Sequence, residues 1–177
     1  SKLIDPIANT DTLKRDIEKF KDLGINTIRI YSIDNTEDHD EGMSMLEDAG
    51  IYVILDTNIP DASIARDDPE CSYNTLYLEQ VLATVYKMGN YTNVLGFFAG
   101  NEVINDDTST YAATYVKAVL RDMKYFIKNK LSRQIPVGYS AADVEENRLA
   151  TAHFFNCGDD EMARADMFGF NDYSWCG

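Results

Sequence analysis

The chain has 177 residues, 45% of them apolar and 26% charged, enough for one domain with its own core. Thirty acidic residues against 16 basic ones leave a net charge of −14, the wrong sign for a protein that holds phosphate backbones or anionic membrane surfaces. No stretch approaches the roughly 18 apolar residues of a membrane span, and no signal-peptide pattern opens the chain at Ser1.

In chain order, two kinds of segment alternate. From Asp11 to Leu23, Leu13, Ile17, Phe20 and Leu23 recur at steps of three and four, which predicts an amphipathic helix stopped by Gly24. "INTIRIY", Ile25 to Tyr31, reads as a strand. Met43, Leu46 and Ala49 mark a second helix ending at Gly50, followed by the strand "IYVILD", Ile51 to Asp56. Leu78, Val81, Leu82 and Val85 stripe a third helix that ends near Gly89, before the strand "NVLGFFAGN". Tyr115, Val119, Met123 and Phe126 line a fourth helix that leads to "QIPVGYS". A weaker helix around Glu145 to His153 precedes "DMFGFNDY".

This alternation, without hairpin dipeptides, predicts an α/β fold with a parallel sheet. Near-continuous apolar strands fit burial on both faces. No Gly-rich phosphate loop follows any strand, as a dinucleotide-binding sheet would require. Instead each strand ends in polar or aromatic residues: Tyr31-Ser32, Asp56-Thr57-Asn58, Asn101-Glu102, Tyr139-Ser140 and Asn171-Asp172-Tyr173. In a (β/α)8 TIM barrel such ends converge on the face that carries the active site. Five strands do not close an eight-stranded barrel of about 250 residues. Residues 1–177 are therefore expected to be part of a single larger catalytic barrel, supplying strands two to six. One strand would precede Ser1 and two would follow Gly177.

Glu102 is the first chemical candidate. As an isolated glutamate it reads as a helix cap or a rim charge. Its place after a buried strand, fourth in the inferred barrel, and beside Asn101 favours a general acid instead. Cleaving a glycosidic bond needs a proton delivered to a poor leaving group, and a carboxyl approached by an apolar run such as "GFFAG" can retain that proton. Asn101 could hydrogen-bond a sugar hydroxyl beside the reacting carbon.

"DLGINTIRIYSIDNTEDHD", "FFAGNEV", "RQIPVGYSAAD" and "FGFNDYSWCG" resemble the fungal cell-wall β-1,3-glucanosyltransferases, the Gas/Gel/Phr family of glycoside hydrolase family seventy-two. The resemblance runs along nearly the whole chain. It implies a retaining transglycosylase that cuts a β-1,3-glucan, holds the new reducing end as a glycosyl-enzyme, and passes it to another glucan chain. The implied partners are glucan donor and acceptor chains, without metal or other cofactor. The implied location is the cell wall, with a GPI anchor to the plasma membrane. Glu102 matches the family's acid/base and Asn101 its neighbouring asparagine. Tyr31, Asp56 and Tyr173 match residues lining the donor subsites. The family's nucleophile lies in a Ser-Glu-aromatic-Gly motif that is absent from this chain, so the segment alone is expected to be inactive. Two other readings stand beside this one: an endo-β-1,3-glucanase that releases its intermediate to water, and a catalytically silent glucan-binding wall protein.

Other residues carry weaker signals. Taken alone, Tyr31 and Tyr173 read equally as packing aromatics or as sugar platforms. Trp175 shares that ambiguity. Asn171 and Asp172 read as residues shaping the sixth loop. His39 and His153 read as packing or surface residues, and "EDHDE", Glu37 to Glu41, as a solvated acidic turn. The cysteines Cys71, Cys157 and Cys176 offer no zinc spacing. The resemblance matches Cys157 and Cys176 to family cysteines bridged to residues beyond Gly177. It also marks the absence of a cysteine pair that many relatives carry near Thr12 and Gly42. Asn90-Tyr91-Thr92 forms a glycosylation sequon.

Overall fold

A computed structural model describes residues 3–174. Five strands form one sheet in the order β1-β2-β3-β4-β5, all parallel. They are β1 (Thr27–Ile30), β2 (Tyr52–Asp56), β3 (Val94–Asn101), β4 (Val137–Ala142) and β5 (Met167–Asn171). The connecting helices are α1 (Thr10–Asp22), α2 (Asp40–Asp48), α3 (Pro69–Ser72), α4 (Thr75–Met88), α5 (Ala112–Lys130) and α6 (Glu145–Asn156).

Local chemistry sets the helix ends. The Asn9 side chain accepts from the Thr12 amide at the start of α1, and Asn74 does the same for Tyr77 at the start of α4. Gly24 and Gly50, both at φ 70°, follow α1 and α2 where a left-handed residue ends a helix. The short α3, with Pro69 in its first turn, has no apolar period and was invisible to pattern reading.

The sheet is a curled, open half-barrel, and one side chain measures the curl. Four inter-strand steps in a flat sheet would separate β1 from β5 by about 19 Å. Yet Arg29 of β1 donates to Asn171 of β5 at 3.0 Å. The strand ends therefore face one another across a concave surface, the geometry expected of part of a (β/α)8 barrel. The helices bury Leu13, Ile17, Leu46, Val81, Val85, Val119, Met123 and Ile127 in one core with Val53, Leu55, Phe97 and Val137 of the sheet.

In the acidic turn Glu37, Asp38, Asp40 and Glu41 are exposed, as expected, and His39 takes the packing role. His39 is fully buried, and its Nε2 lies 2.7 Å from Oδ2 of Asp5. Asp5 also accepts from the amides of Ile7, Ala8 and Asp34, which moors the N-terminal segment to the β1–α2 loop. At Gly42 a Cβ would lie 2.2 Å from the Ile7 carbonyl oxygen, so that segment packs where a side chain would stand.

Candidate active site

β3 is buried along most of its length and breaks register with β4 between Phe98 and Asn101. Immediately after it, Glu102 adopts φ 49°, the only positive φ of a non-glycine residue among the described residues. A left-handed glutamate costs about 1–3 kcal/mol and persists only where its surroundings over-determine it. Here the Glu102 amide donates to the Ser140 carbonyl at 2.8 Å. Arg66, from the β2–α3 loop, donates to the Glu102 carbonyl through Nη2 and to that of Val103 through Nε, the latter at 3.0 Å. Two residues on, the Ile104 amide donates to the buried Tyr139 hydroxyl at 3.0 Å.

This turn brings the carboxylate to β5. Its Oε1 accepts from Nδ2 of Asn171 at 2.6 Å and from the Tyr173 hydroxyl at 3.5 Å. The phenylalanines of "GFFAG" are buried, and the polar contacts of the carboxylate are an amide and a phenol. The Glu102 charge raises the Tyr173 phenol above its ordinary value.

Arg29 organises the centre of the concave face. Its Nε and Nη2 form a fork on Asp56, at 2.9 and 2.8 Å. Nη2 also donates to Oδ1 of Asn101 at 2.9 Å, and Nη1 donates to the Ser140 hydroxyl and to Oδ1 of Asn171 at 2.9 and 3.0 Å. Asp56 is only 4% exposed, and its burial raises the carboxyl above its usual range against the opposing pull of Arg29. The guanidinium carbon lies 4.5 Å from the centre of the Tyr31 ring and 4.6 Å from that of Phe98.

Tyr31, Asp56 and Asn101 line a cavity of about 540 Å³ together with Ser63, Arg66 and Asp67 of the β2–α3 loop. Glu102 and Tyr173 stand outside its lining. Tyr31 and Tyr173 are 57% and 77% exposed, so neither is a core aromatic of this segment. Trp175 and Cys176 lie outside the described residues, while Cys71 and Cys157 are exposed thiols. Asn171, read from the sequence as a loop-shaping residue, instead touches the Glu102 carboxylate.

Over residues 1–177 the sequence matches the family described as Glucanosyltransferase, glycoside hydrolase family 72. The chain belongs to this family. Among glucanosyltransferases, it is 62% identical over 177 residues to the 1,3-beta-glucanosyltransferase PGA4 of Candida albicans, covering 100% of this chain and 39% of that protein. It is 58% identical to the 1,3-beta-glucanosyltransferase GAS5 of Saccharomyces cerevisiae over 177 residues, covering 100% of this chain and 37% of that one. The structure of Saccharomyces cerevisiae Gas2p in complex with laminaripentaose superposes with a TM-score of 0.92 at 44% identity, covering 98% of this chain and 39% of that one. The chain thus spans about two-fifths of the length of these glucanosyltransferases.

Arg29 and Arg66 are the site residues that sequence reading passed over. Arg29 had a signal: a lone charge in the apolar strand "INTIRIY" needs buried partners. Arg66 had none, because it acts on backbone carbonyls fixed only by the fold.

Proposed function

We propose that this chain is the acid/base-bearing part of a retaining β-1,3-glucan transglycosylase, in which Glu102 protonates the departing sugar oxygen. The observation that carries this reading is the placement of Glu102: a strained carboxylate at the mouth of β3, beside Asn101, held toward the other strand ends. Strain of this kind collects where function requires a fixed side chain. The same carboxylate would then activate the incoming acceptor hydroxyl, so one group serves both half-reactions. Asn101 presents its amide to the hydroxyl next to the reacting carbon. Tyr31, Asp56 and Tyr173 border the donor sugars, the two phenols offering apolar faces and hydroxyls.

A retaining reaction needs a second carboxyl about 5 to 5.5 Å from the first. No Ser-Glu-aromatic-Gly stretch occurs in this chain. We assign the nucleophile to the part of the barrel that the relatives carry beyond this segment, with residues 1–177 supplying strands two to six. On this reading the segment alone does not turn over. The complete protein works on wall glucan at the cell surface, anchored through GPI.

The test is incubation of the complete protein with a single laminari-oligosaccharide. Products longer than the substrate are expected. Shorter products alone would establish the hydrolase, and binding without products the silent wall protein. Glu102→Gln is expected to keep glucan binding and lower turnover by about 10²–10⁴-fold. A variant that kept a tenth of the activity would rule out the acid/base role.

A further inference from the structure

We infer that Arg29 is a positioning residue that fixes the orientation of the Asn101 and Asn171 amides, and through Asn171 the Glu102 carboxylate. The inference deepens the transglycosylase reading and rests on it.

A guanidinium has five N–H donors and no acceptor. All five are used: one on Oδ1 of Asp56, one on its Oδ2, and one each on Oδ1 of Asn101, the Ser140 hydroxyl and Oδ1 of Asn171. Because Arg29 can only donate, the amide atom that faces it in each asparagine must be oxygen. The nitrogens are thereby forced the other way. An asparagine alone has no such preference, since its two amide ends are nearly the same size.

The remaining bonds close around this constraint. Oδ1 of Asn171 accepts from Arg29 and from the Ser140 hydroxyl at 2.8 Å. Its Nδ2 spends both hydrogens, on Oδ1 of Asn101 at 2.9 Å and on Oε1 of Glu102 at 2.6 Å. Oδ1 of Asn101 takes Arg29 and Asn171, filling both its lone pairs. Among the described residues, no acceptor engages Nδ2 of Asn101 and no donor engages Oε2 of Glu102. Those two groups are the ones the reaction uses, the amide toward a sugar hydroxyl and the carboxyl oxygen toward the glycosidic oxygen. Asp56 has a second role here: buried against the fork, it fixes the plane of the guanidinium.

Lysine keeps the charge but offers three donors from a point, so it cannot hold Asp56, Ser140 and both asparagines at once. In the complete enzyme, Arg29→Lys is expected to lower kcat about 10²-fold, the scale of a misplaced catalytic group. KM should change little, since the loss falls on the transition state. The variant should also lose much of the wild-type preference for a donor with its C2 hydroxyl over the 2-deoxy analogue at the reacting sugar. A merely structural arginine would not move that ratio. Asn171→Ala, which leaves the Arg29–Asp56 pair intact, should lower kcat in the same way. The double variant should be no slower than Arg29→Lys, because both changes break one chain of contacts.

Wild-type kcat in either single variant, strictly multiplicative losses in the double variant, or an unchanged 2-deoxy ratio in Arg29→Lys would overturn the inference. If Arg29→Lys does not fold, Asn171→Ala carries the test through its kcat alone. Glu102→Gln measured in parallel separates the two levels. Turnover by that variant refutes the acid assignment, whereas an inactive Glu102→Gln beside a fully active Arg29→Lys refutes only the role given to Arg29.

Discussion

Tyr139→Phe isolates the bond that anchors the chain just past Glu102. Tyr139 is fully buried on β4, its ring stacked on Phe155 at 4.3 Å and 19°. Burial pushes its phenol up to about 12. Phenylalanine keeps the ring and removes only the oxygen that accepts from the Ile104 amide. Ile104 is 3% exposed, so water does not readily replace that partner. A buried amide left without an acceptor costs about 1–3 kcal/mol. At roughly 2–4 °C per kcal/mol for a domain of this size, the midpoint should fall by about 2–12 °C. Thermal unfolding of the complete protein, followed by fluorescence beside the parent, reads this directly. Turnover should fall too, because Ile104 fixes one end of the strained segment that begins at Glu102. An unchanged midpoint would mean that the Ile104 amide finds another acceptor and that Tyr139 does not fasten the turn.

Other expectations follow from the same contacts. Burial alone would raise the Asp5 carboxyl, but the His39 contact and the Ala8 and Asp34 amides together hold it below the ordinary 3.8. Its contribution to stability is therefore complete above pH 3.8 and lost as pH falls through the lower folded value. Asp5→Asn should destabilise at neutral pH and flatten that acid limb; a parallel limb in urea titrations would refute the linkage. At Gly138 a Cβ would lie 2.2 Å from the Met167 carbonyl oxygen. Gly138→Ala should therefore force β4 and β5 apart and cost about 1–3 kcal/mol in chemical denaturation. Tyr31→Ala and Tyr173→Ala should each weaken oligosaccharide binding by about 2- to 13-fold, the equivalent of 0.5–1.5 kcal/mol of aromatic contact. Unchanged titrations would return both rings to a surface role.

The sequence disclosed the fold more fully than the site, for a physical reason. The helix stripes ending at Gly24 and Gly50 and the apolar run from Val94 are periodic or contiguous signals, and they landed within a few residues of the elements observed. The polar strand ends were legible because a parallel sheet must release its chain at one rim. What stayed hidden depends on curvature. Arg29 and Asn171 are 142 positions apart and meet only because four strand-to-strand steps bend into an arc. The left-handed backbone of Glu102 has no sequence signature, since glutamate rarely adopts it. His39 read equally as packing or surface, and only its contact with Asp5, 34 positions away, decides for packing.

We propose Glu102 as the group that delivers the proton to the glycosidic oxygen. The decisive measurement is a crystal structure of the complete Glu102→Gln protein with a β-1,3-glucan oligosaccharide spanning the cleft. The scissile oxygen is expected within hydrogen-bonding distance of the side chain at position 102, and the neighbouring C2 hydroxyl on Nδ2 of Asn101. A glucan bound with its linkages remote from both would rule out the proton-donor role of Glu102.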